Sequence, residues 1–275
     1  MTKRILILLF LTLSILFTAA FIKLPIKSYE VNFASSKQLE VGEELTYVVS
    51  FAFIKLGEIK IYVKNKKIIN GKTFYSTIAY MDSYSGLPFV NLHMIYESTL
   101  NPDYYSAYFR GIVKKEEYTT FTEYKFNYEL KAVKIKKGKL QPYQLWTDST
   151  GIADKEYEDG LSILYFARIF SGSGKTISVP CFVNEQKTIT TISSYTQVSG
   201  VSIDAVNYDI ACVRLDGTMN FISVFGLTGH FEGWFSNDEA SVPILAKMKV
   251  IIGNVRIELK SWKRPGWTPP RYDKS

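Results

Sequence analysis

An apolar–polar alternation of period two recurs along this chain almost from end to end, and it leaves little room for a fold not built from strands. Leu45, Tyr47, Val49, Phe51 and Phe53 alternate with Thr46, Val48, Ser50 and Ala52. Ile59, Ile61 and Val63 alternate with Glu58, Lys60, Tyr62 and Lys64. Successive strand residues point to opposite faces, so this pattern describes half-buried β-strands. Asn70-Gly71 sits between two such runs as a hairpin turn signal. The series continues through Thr73–Met81, Leu92–Leu100, Tyr104–Gly111, Tyr118–Tyr128 and Ala132–Lys137, with a second turn expected at Lys137-Gly138-Lys139. It resumes over Ile177–Phe182, Thr188–Val198, Asp204–Leu215, Met219–Val224, Gly229–Phe235, Ile244–Ile252 and Val255–Trp262. Strands at this spacing suggest a sandwich, a barrel or a strongly curved antiparallel sheet.

One segment changes period. From Asp159 to Phe170, Leu161, Leu164, Tyr165, Arg168 and Ile169 recur at helical spacing. Asp159 is placed as the N-cap, with Asp154, Glu156 and Glu158 supplying negative charge near the positive helix end. Ser171-Gly172-Ser173-Gly174 stops it. The fold expected is therefore mainly β: a curved antiparallel sheet or open β-barrel with one main helix packed on it. Asp148–Asp159 reads as a connection between two halves, and Arg264–Ser275, with Pro265, Pro269 and Pro270, as an extended tail. The domain plan is a leader at 1–22, one β-rich domain at 35–263 and the tail at 264–275.

The leader decides the compartment. Lys3 and Arg4 precede an uncharged run from Ile5 to Ile22, the layout of an export signal. Thr18-Ala19-Ala20 offers a small-residue cleavage site, but the run also reaches the lower limit for a spanning helix, so an uncleaved N-terminal anchor is the alternative. Either way the body is expected outside the cytoplasm, in the periplasm or secreted, with membrane association through the first segment alone. Net charge is +7 over 275 residues, a mild surplus. The basic run Lys131, Lys134, Lys136, Lys137 and Lys139 reads as a solvated hairpin edge, or else as a surface for anionic lipid or polysaccharide. No nucleic-acid motif is present, and no nucleic-acid partner is expected.

Chemical motifs are scarce. SGSGKT at Ser171–Thr176 imitates a phosphate loop, but Ile169 stands where the first glycine is needed and the run follows a helix. His93 and His230 are the two histidines, and neither has a metal-binding companion in sequence. There is no G-x-S-x-G elbow. Cys181 and Cys212 are either bridged, since export permits it, or two buried thiols acting as small apolar residues. No catalytic residue, metal or cofactor is expected.

Three stretches carry a resemblance. Leu39-Glu40-Val41-Gly42-Glu43-Glu44-Leu45-Thr46-Tyr47 is one; Asp159-Gly160-Leu161-Ser162-Ile163-Leu164-Tyr165-Phe166-Ala167-Arg168 is the second. The third runs through Trp234-Phe235-Ser236-Asn237-Asp238, Val242-Pro243-Ile244 and Gly253-Asn254-Val255-Arg256-Ile257-Glu258-Leu259. In this order they resemble an uncharacterised family of exported bacterial proteins, domain of unknown function 3108, which carries no established catalytic residues to transfer. The pattern also looks like the open barrel with a helix across its mouth found in periplasmic lipoprotein carriers. That likeness implies a non-catalytic envelope protein holding a lipid or lipid-linked ligand, with Tyr47, Phe51, Phe53, Arg168 and Trp234 as the expected ligand-binding residues. The same aromatics are core if the helix fills the interior. A structural or protein-interaction module is the alternative function, and a β-scaffold hydrolase would require His230 beside an acid or clustered carboxylates.

Overall fold

The structure, a computed structural model, describes residues 39–87, 91–219, 228–249 and 254–273. Eight strands come first: β1 (Glu44–Phe51), β2 (Ile54–Ile69), β3 (Lys72–Ser83), β4 (His93–Leu100), β5 (Ser106–Lys114), β6 (Thr119–Asn127), β7 (Ala132–Gln141) and β8 (Tyr143–Ile152). The helix α1 (Ser162–Phe170) follows. Six more strands follow among the described residues: β9 (Thr176–Val183), β10 (Gln186–Val201), β11 (Ile210–Met219), β12 (Gly229–Ser236), β13 (Pro243–Lys249) and β14 (Asn254–Lys263). All fourteen form one sheet in the order β8-β7-β6-β5-β4-β3-β2-β1-β14-β13-β12-β11-β10-β9. It consists of two antiparallel meanders, β1–β8 and β9–β14, joined where β1 pairs with β14, Tyr47 opposite Leu259. The sheet is not closed: β8 and β9 are its two edges.

The alternation explains the core. Leu45 and Tyr47 on β1, Ile59, Ile61 and Val63 on β2, and Ala79 and Met81 on β3 are buried together. Asn70 and Gly71 both take positive φ (50° and 74°), the turn that suits the strands' twist. The meander makes every connection at one of two ends. One end holds the β2–β3 turn and the β12–β13 turn, and α1 packs there; the other holds the β1–β2 turn and the β9–β10 turn.

Several expectations change. Lys137-Gly138-Lys139 is not a turn; β7 runs on to Gln141. Gly138 sits at a register shift where a Cβ would lie 2.1 Å from the Gln144 carbonyl oxygen, so its glycine serves close strand approach. Much of the expected connection at Asp148–Asp159 is the end of β8, whose residues are nearly all exposed; an edge with no buried face shows no alternation. β11 begins at Ile210, later than expected, after a loop at 202–209. The expected strand at Met219–Val224 runs beyond Met219 into residues outside those described.

The true connection, 153–161, crosses to the far edge. Glu158 N–H donates to Pro180 O (2.9 Å) and Phe182 N–H donates to Glu158 O (2.8 Å), which pairs part of β9. Side chains also span the gap between sheet ends: Lys137 on β7 meets Glu185 at 3.1 Å, and Lys187 on β10 meets Asp154 at 2.6 Å. Of the basic run, Lys134 pairs with Asp148 on the edge strand, and Lys139 lies over Tyr118. The helix starts at Ser162, yet Asp159 caps it: its Oδ1 accepts from Leu161 N–H (2.7 Å) and Ser162 N–H (2.8 Å). The tail is extended and docked: Trp267 Nε1–H donates to Asp238 (2.8 Å), and Tyr272 N–H donates to Asp209 O (2.8 Å).

Cys181 and Cys212 are free and buried. They sit on β9 and β11, on either side of β10, opposite Thr188 and Ser199. Eleven residues of strand at roughly 3.3 Å each separate those two positions, far beyond the ~7 Å reach of a disulfide. Among the described residues, no helix is long and apolar enough to cross a membrane.

Candidate functional site: an apolar cavity beneath the helix

Alternation gives the curved sheet one face toward α1, and the helix does not fill the space it encloses. Among the described residues, cavities of about 180, 170 and 250 Å³ lie in the concave face. The first is walled by Val49, Leu56, Met81 and Leu92, together with Ile59 and Ile257. The second lies directly under α1. Ile163, Leu164 and Ala167 form its roof, and Tyr47, Ile59, Leu215, Phe231, Phe235 and Met248 are among its walls. Ile59 and Ile257 line both, so the two adjoin. The third opens against the aromatic ladder Tyr96–Phe109–Tyr124, whose centroids stack 5.6 and 5.5 Å apart. Gly160 and Val183 line both the second and third.

The roof is anchored by buried ions. Arg168, the last-turn cation of α1, is 2% exposed and donates to Glu43 through Nη1 (2.5 Å) and Nη2 (2.8 Å), and to Ala240 O through Nε (2.9 Å). Arg264 adds a contact to the same carboxylate (2.5 Å). Burial pushes the Glu43 carboxyl up, but the two guanidiniums outweigh it and hold the group below its ordinary value. Ser171 and Ser241 hydroxyls meet at 2.5 Å just beyond the helix end. The helix is thereby tied to the start of β1 and to the β12–β13 turn.

The other helix end carries two wholly buried acids. Asp159 lines the second cavity and accepts from Ser98 Oγ (2.6 Å) as well as from the helix N–H groups; burial nonetheless raises its pKa. The Glu158 carboxyl lies in the interior with no hydrogen bond of good geometry. Burial lifts its pKa well above the ordinary value, the Ser162 hydroxyl only partly offsets this, and Asp159 and Glu156 add to it. A neutral Glu158 is the form the interior accepts.

The five residues expected to contact ligand do not share one surface. Tyr47 is on the cavity wall, its hydroxyl donating to Pro243 O (3.0 Å). Arg168 uses Nε, Nη1 and Nη2 in the anchor and is not among the residues lining the cavity. Phe51 is half-buried at the end of β1, opposite Ile54. Phe53 is fully exposed, because the β1–β2 turn places Ala52 and Phe53 at positive φ and breaks the alternation there. Trp234 alternates with the cavity-lining Phe231, Gly233 and Phe235, so it belongs to the opposite face, where Lys247 Nζ lies 5.2 Å from its ring. The expected shared aromatic patch is therefore corrected to Tyr47 with Phe231 and Phe235. Those two are spaced like Trp234's neighbours in sequence, and a choice of the other parity on β12 would have found them. His230 is exposed, opposite Thr218, and His93 pairs with Asp82 at 2.8 Å on the surface. Among the described residues, no group of three His, Cys, Asp or Glu could hold a metal.

The comparisons concern the fold and the family. The pattern of the family described as "Protein of unknown function (DUF3108)" matches residues 46–260. A β-barrel-like protein of domain of unknown function DUF1849 from Brucella abortus has a similar structure, with a TM-score of 0.50 and 11% sequence identity over 85% of this chain and 98% of that one. No curated protein sequence matches this chain.

Proposed function

The chain belongs to the DUF3108 family of proteins of unknown function, and from that premise we propose that it is an exported envelope protein that holds a hydrophobic or lipid-linked ligand without transforming it. The observation that carries this reading is the hollow beneath α1: its walls are almost wholly apolar, and it is roofed by a helix clamped at its C-terminal end. Pockets with that character are the usual places for small apolar ligands. Export rests on Lys3, Arg4 and the Ile5–Ile22 run, and it places the protein in the periplasm or outside the cell, or tethered by that segment.

Organic extraction of the purified protein followed by mass spectrometry tests the reading directly; a co-purifying apolar molecule is expected. A fluorescent apolar probe should also bind. Ala246 lines the second cavity, and Ala246→Leu narrows it. Probe affinity is expected to fall about tenfold or more in that variant, while thermal stability stays within the ~1–3 kcal/mol that overpacking costs. Unchanged probe affinity would remove the cavity from the account.

A second reading has its own observation. Edge strand β8 leaves Tyr143, Leu145, Trp146 and Ile152 exposed beside unpaired backbone, a surface suited to strand addition by a protein partner. If that reading is right, Leu145→Lys with Trp146→Lys abolishes partner binding and leaves probe binding intact.

A further inference from the structure

All three cavities carry at least one acid, Glu185 in the third, and a cation lines the third alone. Glu58 and Asp82 border the first, and Asp159 and Glu232 the second. Lys137, at the rim of the third, is the one cation among the described residues that line any of them. Its ammonium lies 3.1 Å from Glu185 Oε2, and Glu185 is itself fixed by Tyr124, whose hydroxyl donates to Oε1 (3.1 Å) and accepts from Glu185 N–H (3.2 Å). An ammonium has three donors, so Lys137 can keep Glu185 and still donate to a second anion. The rim lies at the seam between the two sheet ends, which the 153–161 segment and side-chain pairs bridge. Inward from it, Gly160 and Val183 line both the third cavity and the second, so the two adjoin.

Resting on the binding function proposed above, we infer that the ligand is a single-chain anionic amphiphile, with its carboxylate or phosphate head on Lys137 and its chain running past Gly160 into the space under α1. The volumes agree: cavities of about 250 and 170 Å³ in series fall within the range of small-ligand pockets. The polarity agrees as well: the inner cavity holds acids and no cation, whereas in the outer one Lys137 stands beside Glu185 and offers an anionic head a donor.

The test compares three sixteen-carbon probes on the intact chain, hexadecanoate, hexadecyl phosphate and hexadecanol, by displacement of a fluorescent apolar reporter. Wild type should bind both anions about tenfold more tightly than the alcohol, the size expected of one charge-assisted hydrogen bond at a half-exposed rim. Lys137→Gln should erase that preference and leave hexadecanol affinity unchanged, with the loss of the partly exposed Lys137–Glu185 pair lowering stability by no more than about 1 kcal/mol. The stronger of the two anions in wild type distinguishes a free fatty acid from a phosphate-headed lipid. Equal binding of all three probes, or a preference that survives Lys137→Gln, overturns the head-group assignment while the cavity function stands. Failure of all three probes and of the reporter overturns both.

Discussion

Arg168→Met should lower the stability of the fold by about 3–5 kcal/mol, the cost of removing one partner from a buried ion pair. The substitution keeps most of the side-chain length, so the loss is electrostatic. Glu43 is left 2% exposed with Arg264 as its remaining partner, and the Ala240 carbonyl loses its donor. Urea unfolding would show the effect as a lower midpoint at unchanged slope. A double-mutant cycle with Glu43→Gln separates the pair from its neighbours: the doubly substituted protein should be more stable than the sum of the single losses predicts, since the buried Glu43 charge is gone with its partner and Arg264 keeps Glu40 at 3.5 Å. A loss under about 1 kcal/mol for Arg168→Met would mean that the helix roof is held by apolar packing alone. The same variant should bind the apolar probe less tightly, because the roof over the cavity is the element being loosened.

The second large effect is a pH dependence set by Glu158. Its folded-state pKa is raised well above the ordinary 4.5 by burial, with Asp159 and Glu156 facing it. The sign follows from proton linkage. The folded protein holds a proton that the unfolded chain releases above about 4.5, so the stability tied to this group is fully present below that pH. It is lost as pH rises toward the folded value, at up to about 1.4 kcal/mol per pH unit. Glu158→Gln has no proton to lose. The variant should match wild type near pH 4.5 and exceed it increasingly toward pH 8, by several degrees in melting temperature at roughly 2–4 °C per kcal/mol for a chain of this size. Asp159 shifts in the same direction and is present in both proteins, so the difference between the two curves reports Glu158 together with its coupling to Asp159. Parallel curves across that range would mean that Glu158 is ionised in the folded state. Because Glu158 latches the connection onto β9 through its backbone, hydrogen exchange at Phe182 N–H should follow the same pH trend.

Strand positions and the helix were legible because they are local. Period two marks β1 to β3 plainly, and the switch to helical spacing marks α1. What escaped was whatever depends on a partner distant in sequence. β8 shows no alternation because no core enforces one, and Gly138 reads as a turn in sequence although glycine there answers to β8 and not to its own φ. Alternation says that Trp234 and Phe235 point oppositely, but only their neighbours on β11 and β13 say which points inward. Arg168 was visible as a candidate, but its role was not, since its carboxylate lies 125 residues earlier. Glu158 sat in an acidic stretch that suits a helix start, and nothing local distinguishes a solvated acid from one sealed beneath a crossing segment.

The pairing of β1 with β14 has a kinetic meaning. The first strand and the last are neighbours in the middle of the sheet, with Tyr47 opposite Leu259. Until the final strand leaves the ribosome, and again while the chain threads through any export channel, β1 has a bare edge where its permanent neighbour should be. Contacts so distant in sequence slow folding and prolong the time in which sticky edges can find the wrong mate. Such a polypeptide gains from a chaperone that keeps it unfolded until residue 263 has arrived.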